Sequence, residues 1–156
     1  LDAIGASSKP HHFLSVTKQG VSAIVTTTGN DACHLILRGS KSGQNYTRDE
    51  IDPVSSKLRE IDLPEQLMVD CSHGNSNKDF RNQPMVAADL CAQMADGAKD
   101  IAAVMIESNI VEGNQKISDD MVYGQSVTDA CINWQTTEEV LEAFAKAVQA
   151  RRSKND

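Results

Sequence analysis

Two polar residues, His73 and Glu107, each end an apolar run that is typical of a buried β-strand. The runs lie about one strand-plus-helix repeat apart, so we expect neighbouring parallel strands whose carboxyl ends share a rim. Asp129 follows the irregular segment after the second run and is positioned to return to this rim. One imidazole nitrogen and two carboxylate oxygens suit Mn, Fe, Co or Zn, so these residues predict a divalent metal site.

Each of these three residues also has a purely structural interpretation. His73 is then a strand-end imidazole that hydrogen-bonds to a neighbour, Glu107 a solvated strand end and Asp129 a helix cap. The residue types alone do not decide between the two interpretations.

A basic group, Arg38, lies in the segment Arg38-Gly39-Ser40-Lys41, at the end of a β-rich region. A guanidinium beside a small residue suits a phosphate, because Arg binds phosphate oxygens in a bidentate fork. An ordinary exposed basic turn is the alternative. Residues 72–78 have the composition of an anion-binding loop but lack the spacing of a nucleotide-binding loop.

Composition excludes several classes of protein. The 156 residues carry 15 Lys plus Arg and 22 Asp plus Glu, a formal charge of −7, which argues against nucleic-acid or membrane partners. The four cysteines are far apart and form no C-x-x-C pair, so reduced thiols are expected. No window approaches the roughly 20 apolar residues of a membrane span, and no signal-peptide pattern is present, so we expect a cytoplasmic protein. The first residue is Leu, and we expect a piece of a longer protein.

The first third of the chain is rich in β-type patterns. Residues 12–16 predict a buried strand, whereas residues 22–27 and 34–37 predict an antiparallel ribbon joined by a turn at residues 28–31.

Helices and apolar runs alternate after this region. The predicted elements are a helix from the capping box Thr47-x-x-Glu50 to before Pro64, a strand at 67–73, a helix at 79–95 stopped by Gly97, a strand at 101–107 and a final helix opened by Thr136-x-x-Glu139. Continuous rather than alternating apolar strands are typical of parallel sheets covered by helices. The sequence therefore predicts an α/β fold, either an α/β barrel or a doubly wound sheet.

Six blocks of the sequence resemble one enzyme family. They are residues 13–18, 34–39, 68–76 (including SHGNS), 105–108 (MIES), 111–115 (VEGNQ) and 123–131 (ending in TDAC). Together and in this order they resemble the microbial type I 3-deoxy-D-arabino-heptulosonate 7-phosphate (DAHP) synthases. The resemblance spans nearly the whole chain.

The resemblance implies a fold and a set of site residues. The fold is the C-terminal part of a (β/α)8 TIM barrel, strands six to eight with an inserted antiparallel ribbon, as a single segment over residues 1–156. His73, Glu107 and Asp129 are implied as catalytic metal ligands, and Arg38 as a group that binds the phosphate of phosphoenolpyruvate. The family's fourth ligand is a cysteine to which none of the four cysteines here corresponds.

The resemblance also implies an activity. Members condense phosphoenolpyruvate with erythrose 4-phosphate and release phosphate, the first step of aromatic amino acid biosynthesis. An aromatic amino acid commonly inhibits them, in a pocket to which Phe13 and Ser15 are implied to belong, although both also suit a barrel core.

Three of eight barrel strands leave open sheet edges, so we expect a chain that is inactive alone and forms homo-oligomers. A non-catalytic oligomerising module that retains remnants of the site is the alternative. A Schiff-base aldolase is disfavoured, because no lysine ends an apolar strand and Lys18 is the nearest.

Overall fold

Seven strands and four α-helices form over residues 1–154, the part of the chain that this computed structural model describes. The strands are β1 (His12–Val16), β2 (Ser22–Thr26), β3 (Leu35–Leu37), β4 (Leu67–Asp70), β5 (Ile101–Met105), β6 (Val111–Asn114) and β7 (Gln125–Ser126). The helices are α1 (Asp2–Ser7), α2 (Arg48–Glu60), α3 (Gln83–Asp96) and α4 (Trp134–Ser153), and one 3-10 turn, Phe80–Asn82, directly precedes α3.

The strands β3, β4 and β5 form a parallel sheet in that order. Its central strand is inaccessible to solvent at Leu67 and Val69 because helices cover it, as the continuous apolar pattern predicts. Leu90 of α3 and Phe144 of α4 belong to the same buried cluster as these strand residues. A mixed α/β architecture with parallel strands is therefore confirmed.

Two helix boundaries differ from the predicted capping boxes. Thr47 is the N-cap of α2, but its side chain makes no capping hydrogen bond. The start of α4 lies at Trp134, where the Asn133 side chain accepts a hydrogen bond from the Thr136 backbone, so Asn133 takes the capping role expected of Thr136. Gly97 ends α3 with a φ of 114°, as predicted.

The predicted pairing of the ribbon is wrong. β1 pairs antiparallel with β2 through the short turn at residues 17–21, whereas β3 joins the parallel sheet. A short turn brings two consecutive strands together at a smaller entropic cost than the longer segment between β2 and β3. β1 is also not the buried strand expected, since Leu14 at its centre is 82% exposed. The ribbon therefore precedes the sheet and is not inserted after its first strand.

The segment predicted as a long irregular loop contains a second short ribbon, in which β6 pairs parallel with β7. The Gln115 side chain stabilises it through hydrogen bonds with the backbone of Val122 and Gln125. Within residues 1–154, no helix has the length and apolar character needed to cross a membrane. An eight-stranded barrel, and the number of each strand within it, stay predictions.

Candidate metal centre

The polar residues that follow the parallel strands meet at one rim. His73 follows β4 and Glu107 follows β5, and the His73 Nε2 atom lies 3.8 Å from Glu107 Oε1. The same nitrogen lies 3.9 Å from Asp129 Oδ2. One ligand atom from each residue lies within 4.8 Å of the other two, and no other such group of His, Cys, Asp or Glu occurs within residues 1–154. The structure thus brings the three residues together, and their role as metal ligands stays a prediction.

Backbone hydrogen bonds return Asp129 to this rim. Ile132 donates to the Glu107 carbonyl at 2.9 Å, and Asn109 donates to the Ile132 carbonyl at 3.0 Å. Gly113 and Cys131 exchange a further pair of hydrogen bonds. The segment that carries Asp129 is therefore joined to the end of β5, so the Asp129 carboxylate lies beside Glu107 although the two are far apart in sequence.

Two glycines allow the loops after β3 and β4 to touch. A Cβ atom at Gly39 would lie 2.5 Å from the Gly74 carbonyl carbon, and one at Gly74 would lie 2.6 Å from the Gly39 carbonyl carbon. The Gly74 N–H also donates to the Arg38 carbonyl at 3.0 Å. Because any side chain at either glycine would separate the loops, these glycines keep Arg38 next to His73.

The His73 side chain is held by a buried carboxylate. Its Nδ1 atom lies 2.7 Å from Oδ2 of Asp70, the last residue of β4. Its backbone has a φ of 47°, and its carbonyl accepts a hydrogen bond from the Lys78 N–H at 2.7 Å. The Nδ1 atom of His73 thus makes the hydrogen bond to a neighbour that the structural interpretation expects. The Nε2 atom faces the two acidic ligand candidates, as the metal-site interpretation requires.

Glu107 is held through its backbone. The buried Gln83 side chain donates to the Glu107 carbonyl at 3.1 Å and accepts from the Glu107 N–H at 2.8 Å. These bonds join the start of α3 to the end of β5, so the carboxylate of Glu107 remains available for a ligand. Sequence reasoning missed Gln83 because a glutamine at a helix start carries no distinguishing pattern.

A pocket of about 340 Å³ opens beside His73 and Asp129. Its lining residues are Arg38, Ser72, His73, Lys78, Phe80, Asp129 and Ala130. Within residues 1–154, neither the Arg38 guanidinium nor the Lys78 ammonium group forms a hydrogen bond or ion pair. Two cationic side chains without protein partners in this part of the chain, next to residues that could bind a metal ion, suit an anionic ligand. Lys78 was missed because its loop lacks nucleotide-loop spacing, although it ends the segment SHGNSNK.

A larger cavity of about 910 Å³ lies between α2 and α3, lined by residues other than the three ligand candidates. Arg48 there binds Asp100 at 2.5 Å, and the Ser55 hydroxyl donates to the same carboxylate oxygen at 2.7 Å. The pKa of Arg48 is raised by the hydrogen bond to Asp100. These groups satisfy one another, so we interpret this cluster as a structural ion pair.

All four cysteines are free thiols, as expected. Burial is the main cause that raises the pKa of Cys71 to about 12, and burial also raises the pKa of Cys91 and Cys131. Because the thiolate is the reactive form, these three residues are poor nucleophiles.

The implied effector residues Phe13 and Ser15 lie on β1. Phe13 is 48% exposed, so it does not belong to the buried core that residues 1–154 form. Lys18 lies in the exposed turn between β1 and β2 and is not among the residues that line the pocket beside His73. The effector role of Phe13 and Ser15 stays a prediction.

Comparison with known proteins gives consistent matches along the chain. A model of the DAHP synthetase I family matches residues 1–142. A putative phospho-2-dehydro-3-deoxyheptonate aldolase of Schizosaccharomyces pombe is 55% identical over 98% of the chain and 43% of its own length. The Phe-sensitive phospho-2-dehydro-3-deoxyheptonate aldolase of Escherichia coli K12 is 51% identical over 97% of the chain and 44% of its own length.

The fold is likewise similar to a solved structure. The phospho-2-dehydro-3-deoxyheptonate aldolase of Francisella tularensis SCHU S4 matches with a TM-score of 0.88 and 48% identity, over 96% of the chain and 44% of that protein. The chain spans less than half the length of these relatives. The expected placement in their C-terminal part is not confirmed by these matches.

Proposed function

Because the chain belongs to the DAHP synthetase I family, we propose that it forms the metal-binding part of an active site that condenses phosphoenolpyruvate with erythrose 4-phosphate and releases phosphate. The observation that carries this proposal is the convergence of His73, Glu107 and Asp129, with donor atoms within 4.8 Å of one another, beside a pocket that two cationic side chains line. The three parallel strands would be part of a (β/α)8 barrel, whose catalytic residues lie at the carboxyl ends of the strands.

The donor set fits a divalent metal. One imidazole nitrogen and two carboxylate oxygens suit Mn, Fe, Co or Zn, and three protein ligands leave coordination positions for further ligands or substrate. When bound, the ion would supply Lewis-acid polarisation of the aldehyde oxygen of erythrose 4-phosphate. His73 would bind it through Nε2, because Nδ1 is already hydrogen-bonded to Asp70.

Arg38 and Lys78 would bind the phosphate and carboxylate of phosphoenolpyruvate. Both side chains are cationic, both line the pocket next to His73 and Asp129, and the guanidinium can bind two phosphate oxygens at once. Binding phosphoenolpyruvate in this pocket would keep its enol carbon near the aldehyde. The two reactants would then meet in a fixed geometry and not by a random encounter in solution.

The activity is tested by a chimera in which this chain replaces its aligned segment in the Escherichia coli relative. We expect the chimera to form DAHP, the His73→Ala chimera to be inactive, and the matched control His34→Ala to be active, since His34 is exposed and outside the site. A chimera that folds and binds Mn²⁺ but forms no DAHP would overturn the proposal. The chain alone, with Mn²⁺ and both substrates, is expected to release phosphate only at the background rate.

A second candidate function, a non-catalytic oligomerising module, is favoured by the apolar side chains of the ribbon. Leu14 is 82%, Ile24 73% and Val16 63% exposed, and such contiguous apolar surface is typical of an interface. Analytical ultracentrifugation of the wild type and of the Leu14→Lys/Ile24→Lys variant measures this association. An oligomer that the double variant disrupts, in a chain that binds no Mn²⁺, would favour the module over the enzyme.

An aromatic amino acid is the effector we propose. Relatives of this chain are named Phe-sensitive, in Escherichia coli, and tyrosine-inhibited, in Candida albicans. Phe13 and Ser15 are two positions apart on β1 and therefore share one face of the ribbon. Titration of the chimera with Phe, Tyr and Trp tests this role, and inhibition that Phe13→Ala and Ser15→Ala leave unchanged would contradict it.

A further inference from the structure

Asp70 is a buried acidic residue whose two carboxylate oxygens are both occupied. The residue is 1% exposed, and its Oδ2 atom lies 2.7 Å from His73 Nδ1. Its Oδ1 atom accepts a hydrogen bond from the Ser72 N–H at 2.8 Å. The carboxylate is therefore fixed in orientation by one backbone donor and one imidazole nitrogen.

This contact has a consequence for the tautomer of His73. An ionised carboxylate has only acceptor atoms, so the Nδ1 atom must donate and must carry the imidazole proton. In neutral imidazole the Nε2 atom then keeps its lone pair. That atom faces Glu107 Oε1 at 3.8 Å and Asp129 Oδ2 at 3.9 Å.

The loop that follows β4 holds the His73 imidazole against the Asp70 carboxylate. His73 has a φ of 47°, and its carbonyl accepts hydrogen bonds from the Lys78 N–H at 2.7 Å and the Ser76 hydroxyl at 3.2 Å. The left-handed turn folds the imidazole back onto the strand end that carries Asp70. A non-glycine residue adopts such a conformation only where its surroundings hold it.

We propose that Asp70 is a positioning residue, which keeps the His73 proton on Nδ1 and so presents the Nε2 lone pair to the metal position between Glu107 and Asp129. The proposal rests on the metal site of the proposed function and extends it by a residue outside the ligand set. Residues that orient a ligating histidine in this way contribute about 10- to 100-fold to metal affinity.

The Asp70→Asn variant tests the proposal. Ser72 N–H still requires an acceptor, so the amide oxygen replaces Oδ1 and the amide NH2 group faces His73 Nδ1. The imidazole must then accept at Nδ1 and carry its proton on Nε2, the atom that faces the ligand candidates. We expect Mn²⁺ affinity, measured by equilibrium dialysis, to fall about 10- to 100-fold.

The decisive readout is independent of metal and activity. Long-range 1H–15N NMR of the metal-free chain in alkaline buffer, with His73 assigned by loss of its signals in His73→Gln, reports which ring nitrogen is protonated. We expect the Nδ1–H form in the wild type, the Nε2–H form in Asp70→Asn, and no change in the control Asp119→Asn, which removes an exposed carboxylate.

A wild-type chain with the proton on Nε2 would overturn the proposal, and this measurement stands even if Asp70→Asn does not fold. An Nε2–H form in Asp70→Asn with unchanged Mn²⁺ affinity would also overturn it. Failure of the proposed function is distinguishable, because the wild type would then bind no Mn²⁺ while its tautomer remained Nδ1–H.

Discussion

The buried side chain of Gln83 makes two hydrogen bonds to the backbone of a single residue, Glu107, at 2.8 and 3.1 Å. One amide thereby accepts from the Glu107 N–H and shares the Glu107 carbonyl with the Ile132 N–H, which donates to it at 2.9 Å. The carboxylate of Glu107 is left free to face His73. A helix residue outside the ligand set thus fixes the position of a candidate ligand.

Replacing Gln83 by leucine is expected to destabilise the chain. Gln83→Leu keeps a similar volume but leaves the Glu107 N–H without its acceptor, while the Glu107 carbonyl keeps the hydrogen bond from the Ile132 N–H. The unpaired N–H costs about 1–3 kcal/mol of the free energy of unfolding. Urea denaturation measures this loss. The exposed Gln149→Leu should change stability by less than about 0.5 kcal/mol, and an equal loss in both variants would contradict the assigned role.

Removing the charge of Glu107 should weaken metal binding without unfolding the chain. Glu107→Gln removes an ionised oxygen donor, while the Gln83 hydrogen bonds to its backbone are retained. We expect Mn²⁺ affinity to fall by at least about tenfold, since even the partners of ligands contribute that much. Isothermal titration calorimetry checks this result, with Glu138→Gln on the exposed face of α4 as the control. Equal Mn²⁺ affinity in the two variants would remove Glu107 from the ligand set.

Truncation of Arg38 should weaken the binding of phosphoenolpyruvate. Arg38→Ala removes a charge-assisted hydrogen-bond donor worth about 1.5–3 kcal/mol, so the dissociation constant should rise by about tenfold or more. The control is Arg152→Ala, an exposed cation at the end of α4. Binding of phosphoenolpyruvate to the Mn²⁺-loaded chain, followed by calorimetry, is the measurement. If Arg38→Ala binds as tightly as the control, the anion does not occupy this pocket.

Stability should fall in acid because of Asp100. Burial opposes its ionisation, but hydrogen bonds from Arg48 and Ser55 outweigh this effect and lower its pKa below the ordinary value of 3.8. A lowered folded-state pKa adds stability above the ordinary value, and this stability is lost as the pH falls through the folded-state value. The free energy of unfolding, measured from pH 6 down to about pH 2, should therefore fall less steeply for Asp100→Asn than for the wild type or for the control Asp120→Asn. If the free energy of unfolding falls equally steeply with pH in all three proteins, the Asp100 carboxylate does not cause the loss of stability in acid.

Cys71 should resist modification in the folded chain. It is fully buried, and burial raises its pKa to about 12, so almost none of it is thiolate near neutral pH. Treatment with iodoacetamide followed by peptide mass spectrometry should label Cys33, which is partly exposed, well before Cys71. Addition of urea should make both react, and equal labelling of the two in the native chain would contradict the assignment.

Local pattern predicted the parallel sheet and its helices well because burial on both faces requires continuous apolar runs. The runs at β4 and β5 and the stop at Gly97 follow this rule. The sequence predicts the wrong pair of strands for the ribbon. The β-type segments are similar in composition, and which of them pair depends on the length of the connections between segments 12–16, 22–27 and 34–37.

The amino-acid sequence by itself determined which chemical groups are present and which short segments carry them, together with the family to which those segments belong. Only the tertiary structure decided how His73 is oriented, that Asp70 and Gln83 hold the candidate ligands, and that Lys78 joins Arg38 at the pocket. The physical reason is that side-chain type and local periodicity depend on neighbours in the chain. A hydrogen bond between a helix start and a strand end, or a left-handed turn beneath an imidazole, depends on contacts between segments that pack together only in the folded molecule.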